Sequence, residues 1–398
     1  MRLGEALAAL VVLAAGSQAH AEPDVDRGWL GGEHLTGEWA GSRDALASRG
    51  VLVDAVYASD AFTARGKTSI IGHLDAALTL DSHGLGLWDG GMLHVLVQNS
   101  VGRGINDVWS AQPVTNLQAA HYTELAELFL EQAALDDRLR VRIGKQDANR
   151  DFGTPRFDGD FLNNSFGMYP TAPLPSYPTT GLGAIVIAKP VAWLTGKLAI
   201  YEGSPLAGGL GLTNAFEPGG GYTLVGGAAA THELGSGRDG GTTSGGVWRQ
   251  SGEFTDLMAP GAAPRTFDHD LGWFVQHDER IYLHPDDPAD PRGLTVIVRA
   301  SWAEPDRSAI TRYAGGSAAW RGIGPRRHDT VGVGGGYFRV TQPLRGSPGP
   351  MDESFVEAFY LLRLTSFVTL QPDVQAFRHP GGDSPNAVVA GIRVKLRL

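Results

Sequence analysis

The chain contains no cysteine. Disulfides and thiolate metal centres are therefore excluded, and the chain can wait unfolded in an oxidising compartment without cross-linking. Beyond residue 21 no apolar run approaches the ~20 residues a membrane helix needs, which excludes a helical inner-membrane bundle. Charged residues make up only 19% of the chain, and their balance is −10 at pH 7, which argues against nucleic acid as a partner. No linker, solenoid repeat or long charged tail divides the chain.

Glycine, in contrast, is abundant: 55 of 398 residues, about twice the usual ~7%. Glycine weakens helices and suits bulges, tight turns and close backbone approach in β-barrels. At the front, Arg2 precedes the apolar stretch Ala6 to Ala15 and an Ala-x-Ala site ending at Ala21. This is the pattern of a secretory leader, residues 1–21, cleaved after Ala21. Residues 22–50 then form an N-terminal segment with a short helix from Thr36, its N-cap, to Ala47, stopped by Gly50.

From residue 51 to 398 the period is two. Ile392, Val394, Leu396 and Leu398 point one way while Arg393, Lys395 and Arg397 point the other, since successive strand side chains face opposite sides. The same alternation runs through Ile70 to Asp81, Leu93 to Gln98, Leu139 to Ile143, Leu294 to Ser301 and Val356 to Arg363. It is weakest between Pro205 and Pro264, where Gly and Thr dilute it. Turn signals separate the runs at Asp89-Gly90-Gly91, at Pro285 to Pro288 and at Gly346 to Pro350. Apolar-out, polar-in strands behind a leader predict an all-β fold, a transmembrane antiparallel β-barrel in the outer membrane. At roughly 23 residues per strand and connection, it would have about sixteen strands.

The stretch from Phe152 to Gly183 breaks the period. It carries Pro155, Pro170, Pro173, Pro175 and Pro178, and its aromatics (Phe157, Phe161, Phe166, Tyr169, Tyr177) argue against disorder. It is expected to fold inward and narrow the lumen, with Phe161, Asn163, Phe166 and Tyr169 as constriction residues, the alternative being a loop packed on the rim.

Several blocks occur in order along the chain: Leu35 to Asp44; Gly86-Leu87-Trp88-Asp89-Gly90-Gly91; Glu127-Leu128-Phe129-Leu130-Glu131-Gln132; Arg142-Ile143-Gly144-Lys145-Gln146-Asp147; Phe161 to Gly167; Gly181-Leu182-Gly183; Leu370 to Gln375; and His379-Pro380-Gly381-Gly382. With these blocks in this order the chain resembles the carbohydrate-selective porins of Gram-negative bacteria, the OprB type. The resemblance implies a sixteen-stranded outer-membrane channel that passes sugars, such as glucose, by diffusion. Outer-membrane lipids, lipopolysaccharide and the barrel-assembly machinery are then its surroundings. At its end the chain departs from that pattern, with Leu398 where such barrels commonly carry an aromatic residue that assists assembly.

A sugar channel replaces water around hydroxyls with charged and amide side chains on opposed walls. The inward-facing candidates are Glu127, Glu131, Arg140, Arg142, Lys145, Asp147, Arg299, Glu357, Arg363 and Arg393, with a bulge at Gly144 expected to keep Lys145 on the lumen side. Glu127 and Glu131 are expected opposite the Arg140-Arg142-Lys145 row. Ion pairing within this set would instead stiffen the wall, and a basic lumen would equally attract phosphate or organic acids, as in a general or anion-preferring porin. Enzyme signals are poor. Ala64 to Thr68 lacks the first glycine of a phosphate loop, His232-Glu233 lacks a second histidine, and no Gly-x-Ser-x-Gly occurs. The acidic run Asp286, Asp287 and Asp290 reads as an exposed turn. No catalytic residue, cofactor or metal is expected. A barrel enzyme would need a nucleophile–histidine pair, and an adhesin a separate exposed domain. N-terminal sequencing of the protein from outer membranes should begin at Glu22; a sequence beginning at Met1 would remove the leader.

Overall fold

Period-two alternation becomes sixteen antiparallel strands closed into one barrel in a computed structural model. The structure describes residues 28–105, 108–155, 160–205, 209–211, 215, 217, 219–234, 238–258, 265–283, 292–341 and 351–398. The leader and its cleavage site, Phe157, the turn signals at 285–288 and 346–350, and the Asp286–Asp290 run lie outside these residues. The strands are β1 (Val51–Ala64), β2 (Lys67–Asp81), β3 (Gly91–Gly102), β4 (Tyr122–Ala134), β5 (Leu139–Gln146), β6 (Gly181–Val191), β7 (Leu194–Glu202) and β8 (Tyr222–Leu234). They continue with β9 (Arg238–Thr255), β10 (Thr266–Leu283), β11 (Gly293–Ala303), β12 (Ile310–Ile323), β13 (Arg326–Val340), β14 (Met351–Arg363), β15 (Val368–Arg378) and β16 (Ala387–Arg397). The weakly patterned region thus holds β8 and β9. Each strand pairs with its sequence neighbours, and β1 pairs with β16, from Val56 opposite Arg397 to Ala64 opposite Val389.

One end of the barrel carries short connections, such as residues 192–193 and 324–325, together with the start of β1 and the end of β16. The other end carries the long ones, residues 103–121, 147–180 and 203–221. Outer-membrane barrels keep short turns in the periplasm and longer loops outside, which orients the molecule. Outward positions are apolar and exposed (Ile70, Leu130, Ile143, Val247, Val298, Val356, Ile392), and inward ones are polar and buried (Asp60, Gln98, Gln276, Glu357, Gln375). Trp88, Trp193, Tyr282 and Trp320 are exposed toward the periplasmic end, an aromatic girdle of the kind that sits at a membrane interface.

The polar interior contains two apolar clusters, both made where loops meet wall. One joins Phe161, Leu162 and Phe166 to Tyr313, Phe338, Phe355, Phe359 and Phe377. The other joins Phe152, Tyr169, Ala172 and Leu174 to Ile185, Tyr201, Val225, Trp248 and Phe274. Much of the glycine excess serves these contacts. A Cβ on Gly334 would lie 2.7 Å from the Phe166 ring, and one on Gly246 would lie 2.7 Å from the Phe274 ring. Both are closer than packed carbon atoms approach.

At the periplasmic end the N-terminal segment is stitched across the seam. Helix α1 (Ser42–Ala47) starts later than the sequence suggested, with Gly41 rather than Thr36 at its N-cap. Thr36 instead accepts hydrogen bonds from Trp39 and Arg43. The buried Arg43 guanidinium donates to the carbonyls of Val53 at 3.0 Å and Leu398 at 3.3 Å, so one side chain ties the cap to both seam strands. Arg43→Ala should lower the temperature at which the folded barrel converts to the slow-migrating form on gels, by an amount matching about 1–3 kcal/mol for stranded acceptors. An unshifted transition would show the cap is not needed for closure.

Candidate functional site

The lumen is filled from the extracellular end by the connection between β5 and β6. Its root is helix α2 (Asn149–Phe152), and a knot of charges holds that root. On β4 one extra residue, Ala126, breaks the register with β3, so Glu124 and Glu127 both turn inward. Glu127 accepts from the backbone N–H of Asp147 at 3.0 Å and pairs with Arg150 and with His94. Glu131 lies opposite Arg142 in the ladder and pairs with it at 2.7 Å. Arg142 also reaches Asp151 of α2 at 2.7 Å, and its guanidinium lies 4.8 Å over the Phe129 ring. Arg140 pairs with Asp137 and, at 3.4 Å, with Glu131. Burial pushes the Asp147 carboxyl up to about 6, against the hydrogen bonds from Ser176 and the Asn149 N–H.

From this root the loop crosses to the far wall. Both oxygens of Glu357 on β14 accept backbone N–H groups there, Leu162 at 2.6 Å and Asn163 at 2.9 Å. The Asn163 amide donates to Gln375 at 3.1 Å. Arg299 on β11 donates to the carbonyls of Gly153 (2.6 Å), Ser165 (3.2 Å) and Phe166, and lies 4.5 Å over the Tyr169 ring. A second loop, residues 103–121, is drawn in beside the first. Its Asn116 N–H donates to the Leu162 carbonyl at 2.7 Å, and its Ala111 N–H to Glu353 at 2.7 Å. Arg393 on β16 forks onto Asp60 at 2.6 and 2.7 Å and also reaches Thr115 and Asn116 of that loop.

The sequence-derived candidates divide accordingly. Glu127, Glu131, Arg142, Asp147, Arg299, Glu357 and Arg393 come together around the inward loops, their polar atoms engaged with loop or wall. Arg140 remains partly exposed, and Arg363 is half-buried at the periplasmic end. Phe161, Asn163, Phe166 and Tyr169 lie within the lumen, buried against the wall. Glu131 stands opposite the arginine row as expected, whereas Glu127 faces Arg150 and His94 instead. Lys145 departs from the expectation. The ladders run through Gly144 in register, so Lys145 pairs with outward-facing Leu128, and its ammonium is covered by the β7–β8 connection, donating to the Leu210 carbonyl at 3.2 Å. Gly144 has φ +140, a twist without a bulge. The sequence reading missed Arg150, Asp60 and the inward path of residues 103–121. Asp60 carried a signal, because it is one of few charges on the inward face of β1.

Arg150 of the loop root and Arg140, at the periplasmic start of β5, stay accessible, as do Asp160 of the loop and Arg321 of β12, which face each other at 3.8 Å. Charges of both signs thus border the open part of a loop-narrowed pore. The model of the carbohydrate-selective porin, OprB family, matches residues 65–398. The chain belongs to that family. This porin is similar to Pseudomonas putida OprB in its high-pH structure, at TM-score 0.81 and 18% identity, over 92% of this chain and 99% of that one. The low-pH structure of the same protein gives 0.63 and 15% over 96% and 100%. A loop L8 deletion mutant of OmpT, an outer membrane protein of Vibrio cholerae, gives 0.54 and 11% over 87% and 99%. A search of curated proteins finds no match. The sixteen-stranded fold, the outer-membrane location and the carbohydrate-porin function of this porin follow from the family.

Glu357→Ala should free the loop, because two buried N–H groups lose their acceptor at about 1–3 kcal/mol each. Single-channel conductance should rise and protease should cut between 160 and 167, with Glu357→Gln intermediate. Unchanged conductance in a folded barrel would place the grip elsewhere. Asp147 adds a pH dependence. Its folded pKa lies above the ordinary carboxyl value, so the folded state holds the proton more tightly. Asp147 should therefore add stability as pH falls from about 6 toward 4, and Asp147→Asn should make the pH slope of stability smaller by that contribution; identical slopes in parent and variant would exclude it.

Proposed function

We propose that neutral monosaccharides such as glucose diffuse through the passage left beside the two inward loops. Arg140 and Arg363 present hydrogen-bond donors to sugar hydroxyls there, Arg150, Asp160 and Arg321 complete the lining, and Arg393 holds the second loop. Glu127, Glu131, Arg142, Asp147, Arg299 and Glu357 set the width by holding the loop. Phe161, Asn163, Phe166 and Tyr169 fix it against the walls. Lys145 has no part in the passage. The observation that supports this most is the crossing loop tied on both walls, at Glu127 and Arg142 and again at Glu357 and Arg299. A fixed narrow zone bordered by both signs of charge offers donors and acceptors without a lasting hold, which suits hydroxyl-rich solutes.

The same reading makes residues 1–21 a removed leader, 22–50 a periplasmic cap and 51–398 the barrel. The barrel is inserted by the assembly machinery among phospholipid and lipopolysaccharide. No residue is assigned a catalytic step. Liposomes carrying the protein should swell in glucose faster than in a disaccharide of equal osmolarity. Arg140→Gln should weaken glucose block of ion current roughly fivefold, for a hydrogen-bond contribution of about 1 kcal/mol. Equal swelling in glucose and in large oligosaccharides would make this a general porin instead.

A further inference from the structure

The periplasmic third of the lumen contains a cavity of about 450 Å³ beneath the loop, bounded by β1 and β12 to β16. That volume is in the range, about 300–1,000 Å³, of pockets that hold small ligands. Its charge is one-sided. Arg321, Arg363, Arg393, Lys395 and Arg397 line it, with Asp160 the lining carboxylate. Three of these cations have carboxylate partners: Arg393 with Asp60, Arg397 with Asp54, and Arg321, at 3.8 Å, with Asp160. The other two stand apart among the described residues. The Arg363 guanidinium makes only long contacts, 3.4 and 3.5 Å, to the carbonyls of Thr365 and Ser366, its backbone N–H donating to Asp329 at 3.0 Å, and Lys395 is exposed with no hydrogen bond or ion pair among the described residues. A further observation points to a ligand: Thr330 lines the cavity, is fully buried, and its hydroxyl has no hydrogen-bond partner.

We propose that this vestibule is a binding site for acidic monosaccharides, sugars carrying one carboxylate. The Arg363 fork grips the carboxylate bidentately, as guanidinium geometry favours, and Lys395 adds a point charge. The Thr330 hydroxyl meets a ring hydroxyl, together with Thr369, which also lines the cavity. The position matters as much as the chemistry. A solute that has passed the mixed-charge constriction meets a cavity with an excess of positive charge on the periplasmic side. Such an excess raises the local concentration of anions and draws them through. The inference rests on the sugar-channel reading and extends its substrate class from neutral to acidic sugars.

Planar bilayers containing the full porin test this with glucose, glucuronate and acetate added on the periplasmic side. Glucuronate should block the ion current at about one-tenth the concentration glucose needs, one charge-assisted grip being worth about tenfold. The advantage should shrink as salt rises. The double variant Arg363→Gln, Lys395→Gln should raise the half-blocking glucuronate concentration about tenfold. Its reversal potential in a KCl gradient should move toward cations, confirming an open, folded channel. Glucuronate no better than glucose in the parent, or equally good in the double variant, overturns the site. Block by acetate equal to that by glucuronate overturns the sugar-acid assignment. Glucuronate block lost in the variant while liposomes still fail to swell in glucose would support the site and sink the neutral-sugar reading alone.

Discussion

A buried carboxylate gripping two backbone N–H groups is the contact on which the pore depends. Glu357 stands on the wall and receives Leu162 and Asn163 from a loop that started on the opposite side. A loop crossing a wet lumen has water as a ready partner for every peptide group. It stays across only if the far wall offers better acceptors than water, and a charged acceptor in a water-poor site does so. Arg299 complements it by taking the loop carbonyls. One wall thus satisfies both kinds of backbone group, and the second loop then packs on the first.

Glycine and aromatic residues solve the remaining packing problem together. A barrel wall with side chains at every inward position would leave no room for a folded loop. Bare strand surface at Gly334 admits the loop's Phe166, and at Gly246 it lets the wall's own Phe274 lie down, where Phe152 and Tyr169 of the loop pack on it. The interior is therefore polar where water runs and apolar where loops dock, on the same strands.

The barrel was legible in the sequence because strand alternation is local and the lipid side tolerates few charges. The loop was legible because prolines and aromatics without period are local too. Inward direction was correct for Arg142, Glu131, Arg299, Glu357 and Arg393. What each carboxylate and guanidinium holds was not legible, since Leu162 and Glu357 are 195 residues apart, and nothing local tells a solvent-facing arginine from one tied to a loop. Lys145 misled for the same reason: its cover, Leu210, lies 65 residues on. The missed helix start has a simpler cause, in that Thr36 serves Arg43 and Trp39 rather than the helix N-terminus.

The seam where β1 meets β16 has a consequence for the order of events. Until β16 pairs with β1, the wall is an open sheet with two bare edges, because the partner of Val56 lies at the far end of the chain. The far anchors of the loop, Glu357, Gln375 and Arg393, belong to those same late strands. Contacts so distant in sequence carry the largest ordering cost and form last. Plugging and closure are thus coupled: without β14 to β16 the loop keeps its root at Glu127 and Arg142 and its tie to Arg299, and loses the grip of Glu357 and Gln375.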